Sequence, residues 1–541
     1  MSNIITWAMC ATTIGIWCPE NDPIVQLPNG KIRGVNHGNY LSFESIPYAE
    51  PPIGKNRFEA PKPYSGKWLG IRDATKPSVT CIQWDEFYDK KDLTHGVEDC
   101  LLINVYTPSL SSEKPYNVLI NIHGGAFMYG NAIEDKIDLL MKNRQLVIVK
   151  MNYRLGVMGF LSTADEVITG NFGLKDQRLA LEWTKANIAA FNGNPEKMTV
   201  IGESAGSTAV HFQMLNKRFE NLATSAISFS GTALSDWGID GHAAEKAVAV
   251  AKYLNCPTDS SSSIKKCLQS KDAADIVRTS KEFQKNNIVP YSPSILFSPV
   301  VEPKTAQNAF ITEKPETIIR NGKSAEIPWL ASVMRDEGAI PCAEYMKKDS
   351  NGVEIIEQLN ERWTELAPIN FCLNNVVEDS ELPAYTNKLK QQYMGDKRFN
   401  AENYFLFQKF CTDVIIENGV KKAWALHKKY TKSPVYGYMY DNPPPSGIGN
   451  LLANRSDINF GTAHDSDTSL IFNSESGIAA FPENQQKMSS HFVEMIENFC
   501  LTGTLQFGSC KFVENSSKTK GFLAMHITND SCQSVNADQL P

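Results

Sequence analysis

The chain has 541 residues, 42% of them hydrophobic and 21% charged, with a formal net charge of −7. That composition suits a soluble globular protein with a large buried core. An acidic balance without clustered Lys and Arg argues against nucleic acid as a partner, and no internal repeat or heptad pattern points to a solenoid or a coiled coil.

From the N-terminus, the apolar stretch Ile4 to Trp17 is too short to span a bilayer and suits the hydrophobic region of a signal peptide. Residues 1–21 are therefore read as a signal peptide and the protein as secreted and extracellular. The C-terminal Asn536 to Pro541 carries no hydrophobic tail, lipidation box or retention signal. Of twelve cysteines, Cys10 and Cys18 would leave with the leader. The close pairs Cys81/Cys100, Cys256/Cys267 and Cys510/Cys532 each flank a polar, turn-rich segment, as loop-closing disulfides do. Cys342, Cys372, Cys411 and Cys500 have no evident partner and are expected to be buried thiols. Asn454, Asn515 and Asn529 head glycosylation sequons, which fit a secreted chain.

From about Asn117 short apolar runs alternate with helical patterns. Val118 to Ile122, Leu146 to Met151 and Met198 to Gly202 read as buried strands, and Asp176 to Asn187 and Ala205 to Leu215 as helices. Such alternation implies right-handed βαβ crossovers and an α/β fold with a mostly parallel sheet flanked by helices. The Ser-rich run Thr258 to Ser263 and the Pro-rich turn Asn442 to Ser446 read as surface loops. Residues 22–541 are taken as one domain, because the reactive groups are scattered along it and must converge.

Gly202-Glu203-Ser204-Ala205-Gly206 matches a nucleophile elbow, with a strand before it and a helix after it. A serine on so sharp a turn needs small flanking residues, and the turn aims the Ala205 N–H and the helix N-terminus at developing negative charge. His123-Gly124-Gly125-Ala126-Phe127 follows a strand and matches an oxyanion loop, so Gly124, Gly125 and Ala205 are the candidate oxyanion donors.

With these two motifs in place, the chain resembles the type-B carboxylesterases, the cholinesterase and carboxylesterase family of α/β-hydrolase fold, and among them the secreted β-esterases of insects. Glu98 to Val105, Phe191 to Pro195 and Pro47 to Pro52 with Arg57-Phe58 carry the likeness. It implies that Glu337, in Asp336-Glu337-Gly338, is the acid and His464, in Gly461-Thr462-Ala463-His464, the base, with Asp336 as the competitor for the acid role. The order Ser, acid, His is the one this fold requires. The resemblance further implies an acyl pocket at Trp237 and Phe297, and buried salt bridges Arg57–Glu98 and Arg154–Asp176.

Two departures from the family stand out. Asp465-Ser466-Asp467 follows His464 where relatives have Gly-Asp, and is expected to cause only local tuning. The Cys81–Cys100 loop is short and carries its tryptophan, Trp84, early, which disfavours choline esters. The expected function is a secreted serine carboxylesterase acting on uncharged esters through an acyl-enzyme on Ser204. The alternatives are a catalytically silent adhesion protein and an ester-sequestering binding protein of the same fold; among substrates, juvenile hormone, pheromone and odorant esters stay open. No cofactor and no metal are implied, because the triad supplies its own base. The partner is a small-molecule ester, with no nucleic acid and no membrane span, and monomer and homodimer are both open.

Overall fold

Runs of Val, Ile and Leu without polar alternation become strands buried on both faces, as a parallel sheet between helical layers demands. The computed structural model describes residues 22–88, 91–284, 289, 295–444, 447–529 and 531–541. The expected signal peptide, 1–21, lies outside the described residues, as do 445–446 of the Pro-rich turn. The central strands, in chain order, are β1 (Val35–Asn36), β2 (Leu41–Pro47), β3 (Leu102–Thr107), β4 (Tyr116–Ile122), β5 (Leu146–Met151), β6 (Gly193–Glu203), β7 (Ser225–Phe229), β8 (Trp329–Met334), β9 (Val435–Asp441), β10 (Leu523–Thr528) and β11 (Cys532–Asn536).

They form one eleven-stranded sheet in the order β1-β2-β3-β5-β4-β6-β7-β8-β9-β10-β11. Every pairing from β5 to β10 is parallel. Antiparallel strands extend both sides, β3 with β2 and β1 beyond β5, and β11 beyond β10. The helices that matter below are α1 (Phe172–Asn187), α2 (Ala205–Met214), α3 (Ser261–Ser270), α4 (Tyr404–Thr412), α5 (Asn418–Tyr430) and α6 (Glu483–Thr502). Side chains alternate across the sheet with period two. Val118, Ile120 and Ile122 of β4 pack with Leu181 of α1, Phe212 of α2 and Trp424 of α5, while Leu119 packs with Phe492 and Ile496 of α6 on the other face. A third, aromatic-rich cluster around Trp363, Phe371, Phe407 and Phe410 lies beyond the sheet and includes Ala339 and Ala463. It therefore buttresses the segments just after Glu337 and just before His464.

Three expectations are corrected at this level. The Ser-rich run is not all loop: Ser260 caps α3, its hydroxyl accepting the Ser263 N–H at 3.2 Å, so these serines start a helix. The setting of Cys267 changes with it. Cys267 does not close a turn-rich loop but stands inside α3, half-buried against the core. Its bond to Cys256, just past the helix Ala243–Tyr253, therefore pins two helices together with Cα atoms 5.8 Å apart. Lastly, Cys342 and Cys411 are joined in a disulfide with Cα atoms 6.6 Å apart, leaving Cys372 and Cys500 as the free thiols among the described residues.

The three expected pairs, Cys81–Cys100, Cys256–Cys267 and Cys510–Cys532, are formed. The two inferred ion pairs also form, and both are bidentate. Arg57 meets Glu98 at 2.6 and 2.7 Å, and Arg154 meets Asp176 at 2.8 and 2.7 Å. Arg154 and Asp176 are buried, so removing either partner strands a charge at a cost of about 3–5 kcal/mol.

Candidate active site

The carboxyl ends of β4, β6 and β8, together with the segment beyond β9, converge on one cavity of about 290 Å³ bordered by Gly124, Gly125, Ser204, Glu337 and His464. This edge of a parallel sheet is where loops are free to carry function. Ser204 stands between β6 and α2 at φ +55°, ψ −120°, a conformation disfavoured for an L-residue. It persists because both flanks are glycine. A Cβ on Gly202 would lie 2.4 Å from the Gly206 carbonyl carbon, and one on Gly206 would lie 2.1 Å from Ile122 O. The turn is held by the Ser204 N–H donating to Phe229 O of β7 at 2.8 Å. Among the described residues, Ser204 Oγ makes no hydrogen bond, and the N–H groups of Gly124, Gly125 and Ala205 have no protein acceptor. Three backbone donors and one hydroxyl thus stand ready for a ligand.

Glu337 follows β8 closely and is fully buried. Its Oε1 accepts the Met334 N–H at 2.7 Å, and its Oε2 lies 2.5 Å from His464 Nδ1. The competing acid is engaged elsewhere: Asp336 Oδ2 accepts the Thr462 N–H at 2.8 Å, and the Asp336 backbone N–H donates to Thr462 O at 3.0 Å. Asp336 thus ties the histidine loop to β8, while Glu337 orients the ring. The acid segment is held from behind by α4, whose Thr412 Oγ1 accepts the Gly338 N–H at 2.9 Å, and by the Cys342–Cys411 disulfide.

The other ring nitrogen, Nε2, lies 3.3 Å from Glu203 Oε1 and 3.5 Å from Asp465 Oδ1. Burial alone would depress the His464 pKa; the charges of Asp465 and Glu337, with the Glu203 and Glu337 carboxylates at its two nitrogens, outweigh it and hold the imidazole well above its ordinary value. Burial, and then the neighbouring Asp465, push the Glu203 carboxyl well above the usual carboxylate range. Asp465 occupies the left-handed region at φ +68°, where glycine is strain-free. The residue expected to give only local tuning therefore faces the reactive imidazole nitrogen. His123 is neutral: burial lowers its pKa to about 4, and its ring stacks on Tyr153 at 4.4 Å.

The cavity lining includes the apolar residues Trp237, Ile295, Ile415, Ile416 and Ile448 and the acidic residues Glu134, Asp135, Glu203, Glu337 and Asp465. Trp237 borders it, fixed by its Nε1–H donating to Ile415 O at 2.7 Å. Phe297 does not: it is buried in the core against Phe283, ring centroids 5.4 Å apart. Of the two residues expected at the acyl pocket, Trp237 alone is on the cavity wall among the described residues, with the isoleucines, which carry no motif, beside it. Trp84 is also absent from the cavity wall, its Nε1–H donating to Gln284 at 3.1 Å. Among the sequons, Asn454 and Asn529 are exposed. Asn515 is fully buried, its amide donating to Val435 O at 3.1 Å and Leu523 O at 2.9 Å. It cannot carry a glycan without dismantling these bonds.

A parallel sheet with an elbow serine after one strand, a glycine loop after another and an oriented histidine at the same edge defines an α/β-hydrolase. The chain belongs to the carboxylesterase family, whose model matches residues 21–539, and it is a carboxylic-ester hydrolase that acts on small ester substrates. Esterase-5B of Drosophila persimilis is 43% identical over 528 residues, 97% of this chain and 96% of that protein. Esterase-5A of Drosophila pseudoobscura pseudoobscura is 41% identical over 545 residues, 98% of each. The crystal structure of juvenile hormone esterase from Manduca sexta, with OTFP covalently attached, superposes with a TM-score of 0.80 at 24% identity, covering 95% of this chain and 96% of that one. No helix of the described residues is long and apolar enough to cross a membrane.

Proposed function

We propose that the protein is a secreted serine carboxylesterase that hydrolyses uncharged carboxylic esters through an acyl-enzyme on Ser204. The reading is carried by one observation: His464, oriented by Glu337 at 2.5 Å, borders the same cavity as the strained elbow serine. As the ester binds, Nε2 takes the Ser204 hydroxyl proton and Oγ bonds to the carbonyl carbon. The carbonyl oxygen becomes an oxyanion facing the N–H groups of Gly124, Gly125 and Ala205. Glu337 keeps Nδ1 protonated and stabilises the imidazolium. Collapse breaks the bond to the alcohol oxygen, which leaves with the proton from Nε2. Water repeats the sequence with the acyl-enzyme, freeing the carboxylic acid and Ser204. The serine–histidine hydrogen bond forms in the substrate complex, since catalytic hydrogen bonds are often long or misaligned before the substrate binds.

Trp237 and the isoleucines of the lining suit an uncharged acyl chain, and its acidic residues disfavour anionic esters. Secretion is supported by the disulfides and by the exposed sequons Asn454 and Asn529. Ser204→Ala tests the mechanism: hydrolysis of p-nitrophenyl acetate should fall by about 10⁴–10⁶ while the circular dichroism spectrum is unchanged. Activity within tenfold of wild type would remove Ser204 from the reaction.

A further inference from the structure

Glu203, His464 and Asp465 each present one potential ligand atom, and these atoms lie within 4.8 Å of one another. We propose that they form a binding site for a zinc-like divalent cation, whose occupancy reversibly switches the esterase off by taking the Nε2 lone pair. The ion is an inhibitor, not a cofactor, and hydrolysis needs none.

The geometry matches the chemistry. A tetrahedral zinc shell with bonds of about 2.0–2.1 Å has ligand-to-ligand edges of roughly 3.3–3.4 Å. Nε2 lies 3.3 Å from Glu203 Oε1 and 3.5 Å from Asp465 Oδ1. Imidazole nitrogen and carboxylate oxygen are both donors that zinc takes, and three protein ligands leave a fourth tetrahedral position for solvent. The ligand atoms converge on one point, where charge contacts with Nε2 at 3.3 and 3.5 Å hold them and a cation would replace those contacts. Glu203 Oε1 and Asp465 Oδ1 are buried atoms without a well-aligned hydrogen bond among the described residues, and His464, 9% exposed, turns Nε2 toward both. A carboxylate on the far ring nitrogen, here Glu337 on Nδ1 at 2.5 Å, is the arrangement that fixes the tautomer of metal-ligating histidines. Entry is open, because the Asp465 side chain is 45% exposed and borders the cavity.

The inhibitory half rests on His464 being the base; the binding half does not. Calorimetry with zinc chloride on the full chain in metal-free buffer should give one site per chain, in wild type and in Ser204→Ala alike. Asp465→Gly, accommodated by the positive φ, and Glu203→Gln should each weaken binding by at least about 10-fold, since losing a ligand costs no less than losing an outer-shell partner. Cobalt(II) should give the intense visible bands of a tetrahedral site in wild type and not in Asp465→Gly. Zinc should inhibit p-nitrophenyl acetate hydrolysis over its binding range, and EDTA should restore it. Equal zinc affinity in wild type, Asp465→Gly and Glu203→Gln would overturn the site. Stoichiometric binding at this cluster with undiminished hydrolysis would leave the site standing and overturn the inhibition, and with it His464 as the base.

Discussion

At the scale of residues, His464 is held between one carboxylate that orients it and two that surround its other nitrogen. Asp465 and Glu337 favour the imidazolium, so the free base accumulates only above a raised pKa. The acid limb of kcat/KM should therefore have its midpoint above the ordinary histidine value of about 6.5. Removing the Asp465 charge lowers that pKa, so Asp465→Gly should move the midpoint to lower pH; an unmoved midpoint would separate Asp465 from the base. That Ser204, Glu337 and His464 meet at one cavity is legible in the sequence because elbow, acid segment and histidine loop are each spelled in a few adjacent residues. The importance of Asp465 is not, because the direction of its carboxylate depends on a left-handed φ that the residue type disfavours. Nor are the true surroundings of Phe297 and Asn515, whose side-chain exposure is set by tertiary packing and not by motif.

At the scale of elements, the oxyanion loop and the acid segment are both tightly constrained in shape. Gly125 has φ +97°, and a Cβ there would lie 2.1 Å from Tyr129 O. Gly125→Ala should therefore distort the loop and cost on the order of 10²–10³ in kcat, the loss typical of an oxyanion donor; near-normal kcat would show that the loop does not set the rate. The Cys342–Cys411 disulfide closes a loop with a sequence separation of 69, worth up to about 4 kcal/mol in the chain-entropy description. The double variant Cys342→Ala/Cys411→Ala should lower the urea midpoint, and peptide mapping without reduction should recover this pair from wild type. An unchanged midpoint would argue against the crosslink as a stabilising element. Pairs close in sequence announce themselves through nearby turn residues, whereas this one joins distant helices and has no local signature. The start of α3, and with it the helical setting of Cys267, is hidden for the opposite reason, because serines that read as loop also cap helices.

For the whole molecule, the strand–helix alternation makes the parallel sheet legible, while the antiparallel strands at its edges follow one another without intervening α-helices and so fall outside that alternation. A buried pair also shapes the response to pH. His211 and His427 meet through their Nε2 atoms at 2.8 Å, and His211 Nδ1 accepts the Ala233 N–H at 3.0 Å. His211 therefore donates from Nε2 and both rings are neutral. Burial pushes the His427 pKa down to about 3, and burial, with His427 adding to it, pushes His211 well below its ordinary value. Between about pH 6.5 and 4 the unfolded chain then binds protons that the folded chain does not. Stability should fall with falling pH by about 1.4 kcal/mol per pH unit for each imidazole. Urea denaturation across that range should show the slope in wild type and a shallower one in His427→Gln; identical slopes would remove the pair from the acid response.

The assignment of Ser204 as nucleophile, aimed by Glu337 through His464 beneath three backbone donors, meets its most direct test in covalent trapping by paraoxon. An activated serine attacks phosphorus as it attacks a carbonyl carbon, and His464, on the leaving-group side, is poorly placed to activate the water that would free the phosphoryl-enzyme. One diethylphosphoryl group per chain, mapped to the Ser204 peptide and rising in step with loss of esterase activity, is the predicted result. Labelling elsewhere with Ser204 unmodified, or many turnovers of paraoxon with no lasting adduct, would contradict it.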